Sequence, residues 1–236
     1  MIFAKIRFFL GGFVILFNTA ILMIPAMFFF RRYASQIIHH INRLTFWMLG
    51  GKIVSHGIMD KNADLYLMNH QGVVDIIGFE AFQNNRLRWV AKKELFELFW
   101  IGKVLNLAQM IPLDRNSKIG IRKLIKEFKH SKDTLHRPVA MFPEGTRCDT
   151  QVLRPFKSGA SIIADSLKLK VQPVVITGSK YIFDEKSKTA HSGTLHFHFL
   201  PTIDRSQNED TQWYKKLQQE MQKVIDDQLH NNHCSR

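Results

Sequence analysis

Between Phe8 and Phe30 the chain runs for 23 residues without a charged side chain, bracketed by Lys5 and Arg7 before it and by Arg31 and Arg32 after it. As a helix rising about 1.5 Å per residue, this run would reach roughly 34 Å, enough to cross the hydrocarbon core of a bilayer. A cleaved signal peptide has a shorter apolar stretch and a small-residue cleavage site. This run ends instead in FFFRR, so an uncleaved attachment segment is the expectation. Positive charge at both ends leaves its orientation open, and Gly11, Gly12 and Pro25 are places where it can bend. From Tyr33 to Leu49, the apolar residues Ile37, Ile38, Ile41, Leu44 and Trp47 recur at near-helical spacing, with His40 and Arg43 elsewhere. That pattern predicts an amphipathic helix with an interfacial Trp. The two helices either enter one leaflet as a hairpin, the reading preferred here, or place a true span before a surface helix.

The formal charge of +13 suits nucleic acid, anionic lipid or an acidic substrate. No helix-turn-helix, RRM or zinc module accompanies it, so nucleic acid is not an expected partner. The basic residues follow an apolar N-terminus, and each Lys or Arg near an anionic leaflet contributes about 1 kcal/mol. An anionic phospholipid surface is therefore the expected partner. Two distant cysteines, Cys148 and Cys234, fit a reduced compartment without a disulfide framework, and neither has zinc-ligand spacing.

After Gly50 and Gly51 the pattern changes, which divides the chain into an anchor over residues 1–50 and a globular domain over 51–236. Short apolar runs predict strands over 64–68, 88–91, 108–113, 138–142, 171–177 and 195–200. Helices are predicted over 74–82, 94–104, 117–130, 157–167 and 212–229. This alternation predicts an α/β fold with helices on both faces of the sheet. In open α/β sheets ligands bind at the carboxyl ends of strands. Three polar runs fall there: NHQGVVD after the first strand, DR after IPL, and PEGTR after VAMF.

His70 and Asp75 lie in NHQGVVD. An imidazole titrating near neutrality can take a proton from an attacking alcohol, and a carboxylate on its other nitrogen fixes the tautomer. Spacing alone does not separate this pair from a capping or buried histidine; the neighbouring motifs do. FPEGTR, Phe142 to Arg147, puts Glu144, Gly145 and Arg147 into one turn leaving a strand, where Arg147 can clamp a phosphate and Glu144 can orient it or the adjacent loops. Arg115 is a second guanidinium at a strand end. Lys157 precedes a predicted helix whose N-terminus is itself an anion site, and Lys92 in VAKKEL joins the same group of cations. Cys148 beside Arg147 offers a nucleophile without a paired histidine. His196 and His198, two apart on a predicted strand, face the same way; a packed or solvated pair is the commoner arrangement, and no metal is expected.

With these runs in order, the chain resembles the 1-acylglycerol-3-phosphate acyltransferases, the PlsC-like family with an HX4D motif. NHQGVVD looks like its first block, VAKKEL and IPLDR its second, FPEGTR its third, and VQPVVI its fourth, where a valine replaces a frequent second proline. The likeness runs from about residue 50 to 205. It implies a single mixed sheet flanked by helices, behind a two-helix membrane attachment. It also implies acyl transfer from acyl-ACP or acyl-CoA to the 2-hydroxyl of lysophosphatidic acid, without metal or organic cofactor. His70 would be the general base and Asp75 its orienter. Arg115, Arg147 and Lys92 would hold the acceptor phosphate, Glu144 and Gly145 would shape that pocket, and Lys157 and Gly159 would flank it. The domain would face the cytoplasm at the inner membrane. Another acceptor, such as glycerol 3-phosphate, and a non-catalytic lipid-binding protein remain alternatives. Oligomeric state is open.

Overall fold

A computed structural model describes residues 2–114 and 119–230. The chain begins with one helix of 28 residues, Ile2–Phe29, long and apolar enough to cross a membrane. Its first part, α1 (Ile2–Phe17), passes through a π-helical stretch at Asn18–Met23 into α2 (Ile24–Phe29). The wide turn precedes Pro25, whose ring would otherwise press on the carbonyl one turn back. After a tight turn at Arg31–Tyr33 the chain returns as α3 (Ala34–Met48). The two arms form a hairpin tied by polar contacts: Asn18 Nδ2 donates to Thr45 Oγ1 at 3.0 Å, and Arg7 donates to Leu49 O at 2.9 Å.

The remaining elements follow in order. They are β1 (Gly51–His56), β2 (Leu65–Met68), α4 (Val73–Phe82), β3 (Arg88–Lys92), α5 (Ile101–Leu107), β4 (Ile111–Leu113), α6 (Ile119–His130), β5 (Val139–Met141), α7 (Gly159–Ser166) and β6 (Lys170–Thr177). Then come the one-turn helix α8 (Ser179–Ile182), the short hairpin β7 (Phe183–Asp184) and β8 (Thr189–Ala190), β9 (Gly193–Phe199), β10 (Ile203–Asp204) and α9 (Trp213–His230). The main sheet runs β1-β9-β6-β2-β5-β3-β4, with β10 beside β6. It is mixed: β9 and β10 are antiparallel to β6, and the other neighbours are parallel.

Alternation along the central strands divides the core in two. Tyr66 and Met68 point to one face with Val174 and Ile176, where α4 and the N-terminal hairpin supply Phe79, Ile77, Phe46, Ile38 and Met27. Leu65, Leu67, Val171 and Val175 point to the other, under Phe128 of α6, Ile163 of α7, and Leu217, Met221 and Ile225 of α9. Strands buried on both faces read as continuous apolar runs, so β2, β5 and β6 stand out in sequence. The N-terminal hairpin is therefore also a wall: one side of the long helix packs on the α/β body, and Phe9, Phe13 and Phe28 on the other side are exposed.

Two expected elements differ. The helix expected over 94–104 is a 3₁₀ turn at Lys93–Glu97 followed by α5. The break folds Phe96 O back against Gly102, where an added Cβ would collide with that oxygen, an approach that a continuous helix does not allow. The strand expected over 108–113 shortens to β4, because Gln109 adopts a left-handed conformation (φ 58°) at the end of α5. The short or edge strands β1, β7, β8 and β10 carry no apolar run and escape the sequence pattern.

Candidate active site

Helix α4 starts at Val73, which makes Asp75 its third residue, the position from which a carboxylate folds back over a helix N-terminus. Asp75 Oδ2 accepts from the backbone N–H of Gln71 at 2.6 Å and of Gly72 at 2.9 Å, and from His70 Nδ1 at 2.8 Å. Burial works against the Asp75 charge. The hydrogen bond and charge of His70, with the Gly72 N–H, outweigh it and hold the carboxyl below its ordinary 3.8. With Nδ1 donating to the carboxylate, the basic nitrogen of His70 is Nε2.

Three further contacts hold His70. Its ring lies flat on Phe142, centroids 3.8 Å apart and planes 9° apart. Its backbone N–H donates to Glu144 Oε1 at 3.1 Å. Its carbonyl accepts from Cys148 N at 2.9 Å, which joins the loop after β5 to the loop after β2. Just upstream, Asn69 clips β2 to β6: its side chain donates to Ile176 O at 2.8 Å and accepts from Ile176 N at 2.7 Å.

The other expected site residues separate into groups. Glu144, read from sequence as part of the phosphate pocket, is buried, and its second oxygen accepts from Arg154 N at 2.9 Å. It accepts from the N–H groups of both His70 and Arg154, which joins the two loops, and it also lines the cavity beside Gly145 and Lys157. Gly145 takes the left-handed turn beside it (φ 70°). Arg147 is half exposed and paired with Glu185, whose other oxygen accepts from Val73 N at 3.2 Å. Lys157 sits over Gly145 at the start of α7. Lys92 ends β3 at the same end of the sheet but pairs with Glu94 at 3.5 Å and lines neither cavity beside His70. Arg115 lies outside the described residues. Cys148 is buried, its Sγ 3.2 Å from Thr150 Oγ1, which suits packing better than attack on a substrate.

Two cavities meet at Phe142. One, of about 310 Å³, is mostly apolar and lies between the long N-terminal helix (Ile15, Thr19, Met23), α3 (Ile38), α4 (Ile76), α5 (Val104) and β3 (Val90), with Arg147 at its edge. The other, of about 530 Å³, is lined by Gly145, Thr146, Lys157 and the first residues of α7, with Asp114 and Ile121 opposite. His70 stacks on the ring that borders both. Sequence reading missed Phe142 as a support, although it begins FPEGTR. It also missed Glu80, a buried carboxylate on the apolar side, held by Trp89 Nε1 at 2.5 Å and His39 Nδ1 at 2.8 Å. Its sequence signal is a second acid, after Asp75, in the otherwise apolar run VVDIIGFEAF.

Residues 52–177 match the acyltransferase family. A 1-acyl-sn-glycerol-3-phosphate acyltransferase of Helicobacter pylori is 38% identical over 179 residues, covering 75% of each chain. A protein of the same name from Cocos nucifera is 31% identical over 63% of this chain and 49% of its own length. The human 1-acyl-sn-glycerol-3-phosphate acyltransferase beta is 28% identical over 58% of this chain and 50% of its own. The chain thus spans about half the length of the latter two. In fold, the crystal structure of PlsC from Thermotoga maritima, a 1-acyl-sn-glycerophosphate acyltransferase, superposes with a TM-score of 0.69 at 20% identity, covering 98% of this chain and 95% of that one.

Proposed function

We propose that this chain, which belongs to the PlsC-like acyltransferase family, moves an acyl group from an acyl-ACP or acyl-CoA thioester to the 2-hydroxyl of lysophosphatidic acid, giving phosphatidic acid. The observation that carries this reading is the seat of His70: bonded to Asp75 on one nitrogen and stacked on the ring between an apolar cavity and a cation-bearing one.

In the proposed reaction, His70 Nε2 takes the hydroxyl proton while the oxygen attacks the thioester carbonyl. Asp75 holds the ring and stabilises the imidazolium that forms. The tetrahedral intermediate then expels the thiolate, which recovers the proton from Nε2, leaving an ester and a free thiol. The apolar cavity takes the acyl chain. The acceptor phosphate lies toward Lys157, the N-terminus of α7 and Arg147, where cations and helix N–H groups favour an anion. Arg115 follows β4 closely in sequence and belongs to the same proposed group. No protein group needs to supply the reactive carbonyl, because the thioester brings it.

The exposed apolar flank of the long helix, with Phe28 and Phe29, together with the exposed Trp47 of α3 and Trp100 before α5, supports a seat in the lipid surface. One packed side and one exposed side suit a hairpin lying in a single leaflet better than a free-standing span. The test is purified protein assayed against a matrix of acceptors and both donor types. Lysophosphatidic acid should be the preferred acceptor. A preference for glycerol 3-phosphate would replace this reading with the other acceptor, and vesicle binding without turnover on any acceptor would favour a lipid-binding protein.

A further inference from the structure

His196 and His198 acquire a third partner in the fold. Edge strand β1 runs parallel to β9 with His56 directly opposite His198. Residues two apart on a strand share a face, so all three imidazoles lie on the face opposite Leu195 and Phe197. His56 Nε2 is 3.2 Å from His196 Nδ1, across 140 residues of sequence. One ring nitrogen from each histidine lies within 4.8 Å of the other two. Exposure falls from His56 at the surface to His198, which is 9% exposed and whose Nε2 has no hydrogen-bond partner among the described residues. The catalytic histidine is elsewhere: it follows β2, three strands along the sheet from β1.

We propose that His56, His196 and His198 bind a divalent transition-metal cation of the zinc class, through one nitrogen each, with a fourth position open to water. Four-coordinate zinc holds imidazole nitrogens at about 2.0–2.1 Å, which sets its ligands roughly 3.3 Å apart. The His56–His196 pair already has that spacing, and His198 reaches it by rotating its side chain. The buried Nε2 then gains the partner it lacks. Three imidazoles without a carboxylate suit zinc, nickel or copper and not magnesium or calcium. Bound there, the cation cross-links the edge strand to β9, and so braces the strand into which the N-terminal hairpin runs.

The test uses the full chain, purified without a histidine tag and stripped with a chelator, titrated with Zn²⁺ against a chromophoric indicator. One equivalent should bind per chain, and the thermal midpoint should rise with Zn²⁺ but not with Mg²⁺. His56→Ala and His196→Ala, at exposed and half-buried positions, should each weaken binding by at least about tenfold without altering the circular dichroism. His40→Ala, on the exposed side of α3, should bind as the unaltered chain does. Uptake that persists in the His56→Ala/His196→Ala double variant, no stoichiometric uptake, or equal uptake of Mg²⁺ would overturn the proposal.

Discussion

Around His70 the polar groups are anchored to backbone within a few short loops, whereas the cavity beyond Phe142 takes its walls from five separate elements, beginning with the long N-terminal helix. In the first region, position follows from local geometry: Asp75 caps α4, and His70 stands just before that helix. In the second, no two neighbouring segments define the space. On the proposed reading, the chemistry of this fold is carried by short motifs, and its choice of acyl chain by how the N-terminal hairpin packs on the body.

The largest effect should come from the polar region. His70→Ala should lower turnover on the order of 10³-fold, measured with saturating donor and acceptor, while vesicle binding is retained. Near-normal turnover would remove the proposed base. Asp75→Asn should cost about 10²-fold or more and also stability, because three donors converge on Oδ2. A carboxyl whose folded pKa is depressed stabilises the fold above its unfolded value and loses that contribution as pH falls through the folded one. The unaltered chain should therefore lose thermal stability as the pH drops below the ordinary 3.8, and Asp75→Asn should lose less over the same range.

The apolar region should respond in specificity. Ile15→Phe or Thr19→Phe places bulk in the cavity from the N-terminal helix and should shift preference to shorter acyl donors with little change for the shortest. An unchanged chain-length profile would mean that the acyl group lies elsewhere. Arg147→Ala should raise the acceptor KM about tenfold and leave the donor KM unchanged, a loss of about 1.4 kcal/mol of binding. Stability should barely move, since exposed ion pairs such as Arg147–Glu185 contribute about 0–1 kcal/mol. The smallest effect is expected for Gly159→Ala. An added Cβ there meets no atom within 4 Å, and removing a helix glycine stabilises by about 0.4–1 kcal/mol. A fall in turnover would show that a ligand approaches the backbone at that point.

Legibility follows the same division. The runs that form β2, β5 and β6 are apolar because those strands are covered on both faces, and they announce the sheet. β1 reads GKIVSH and lies at an edge, so burial imposes no comparable pattern. Glu144 was recognisable as part of a motif, but its direction was not. A glutamate in a turn can face solvent, ligand or another loop, and only the N–H groups of His70 and Arg154 that need an acceptor decide which.

The order and content of the motifs, the HX4D spacing and the length of the apolar N-terminus were determined by the sequence alone, since each depends on residues within a turn or two of one another. Tertiary structure decided the stacking of His70 on Phe142, the inward turn of Glu144, the walls of the apolar cavity and the meeting of His56 with His196 and His198. Those arrangements join residues separated by tens to hundreds of positions, and they exist only once burial of the two cores has brought the helices and strands together.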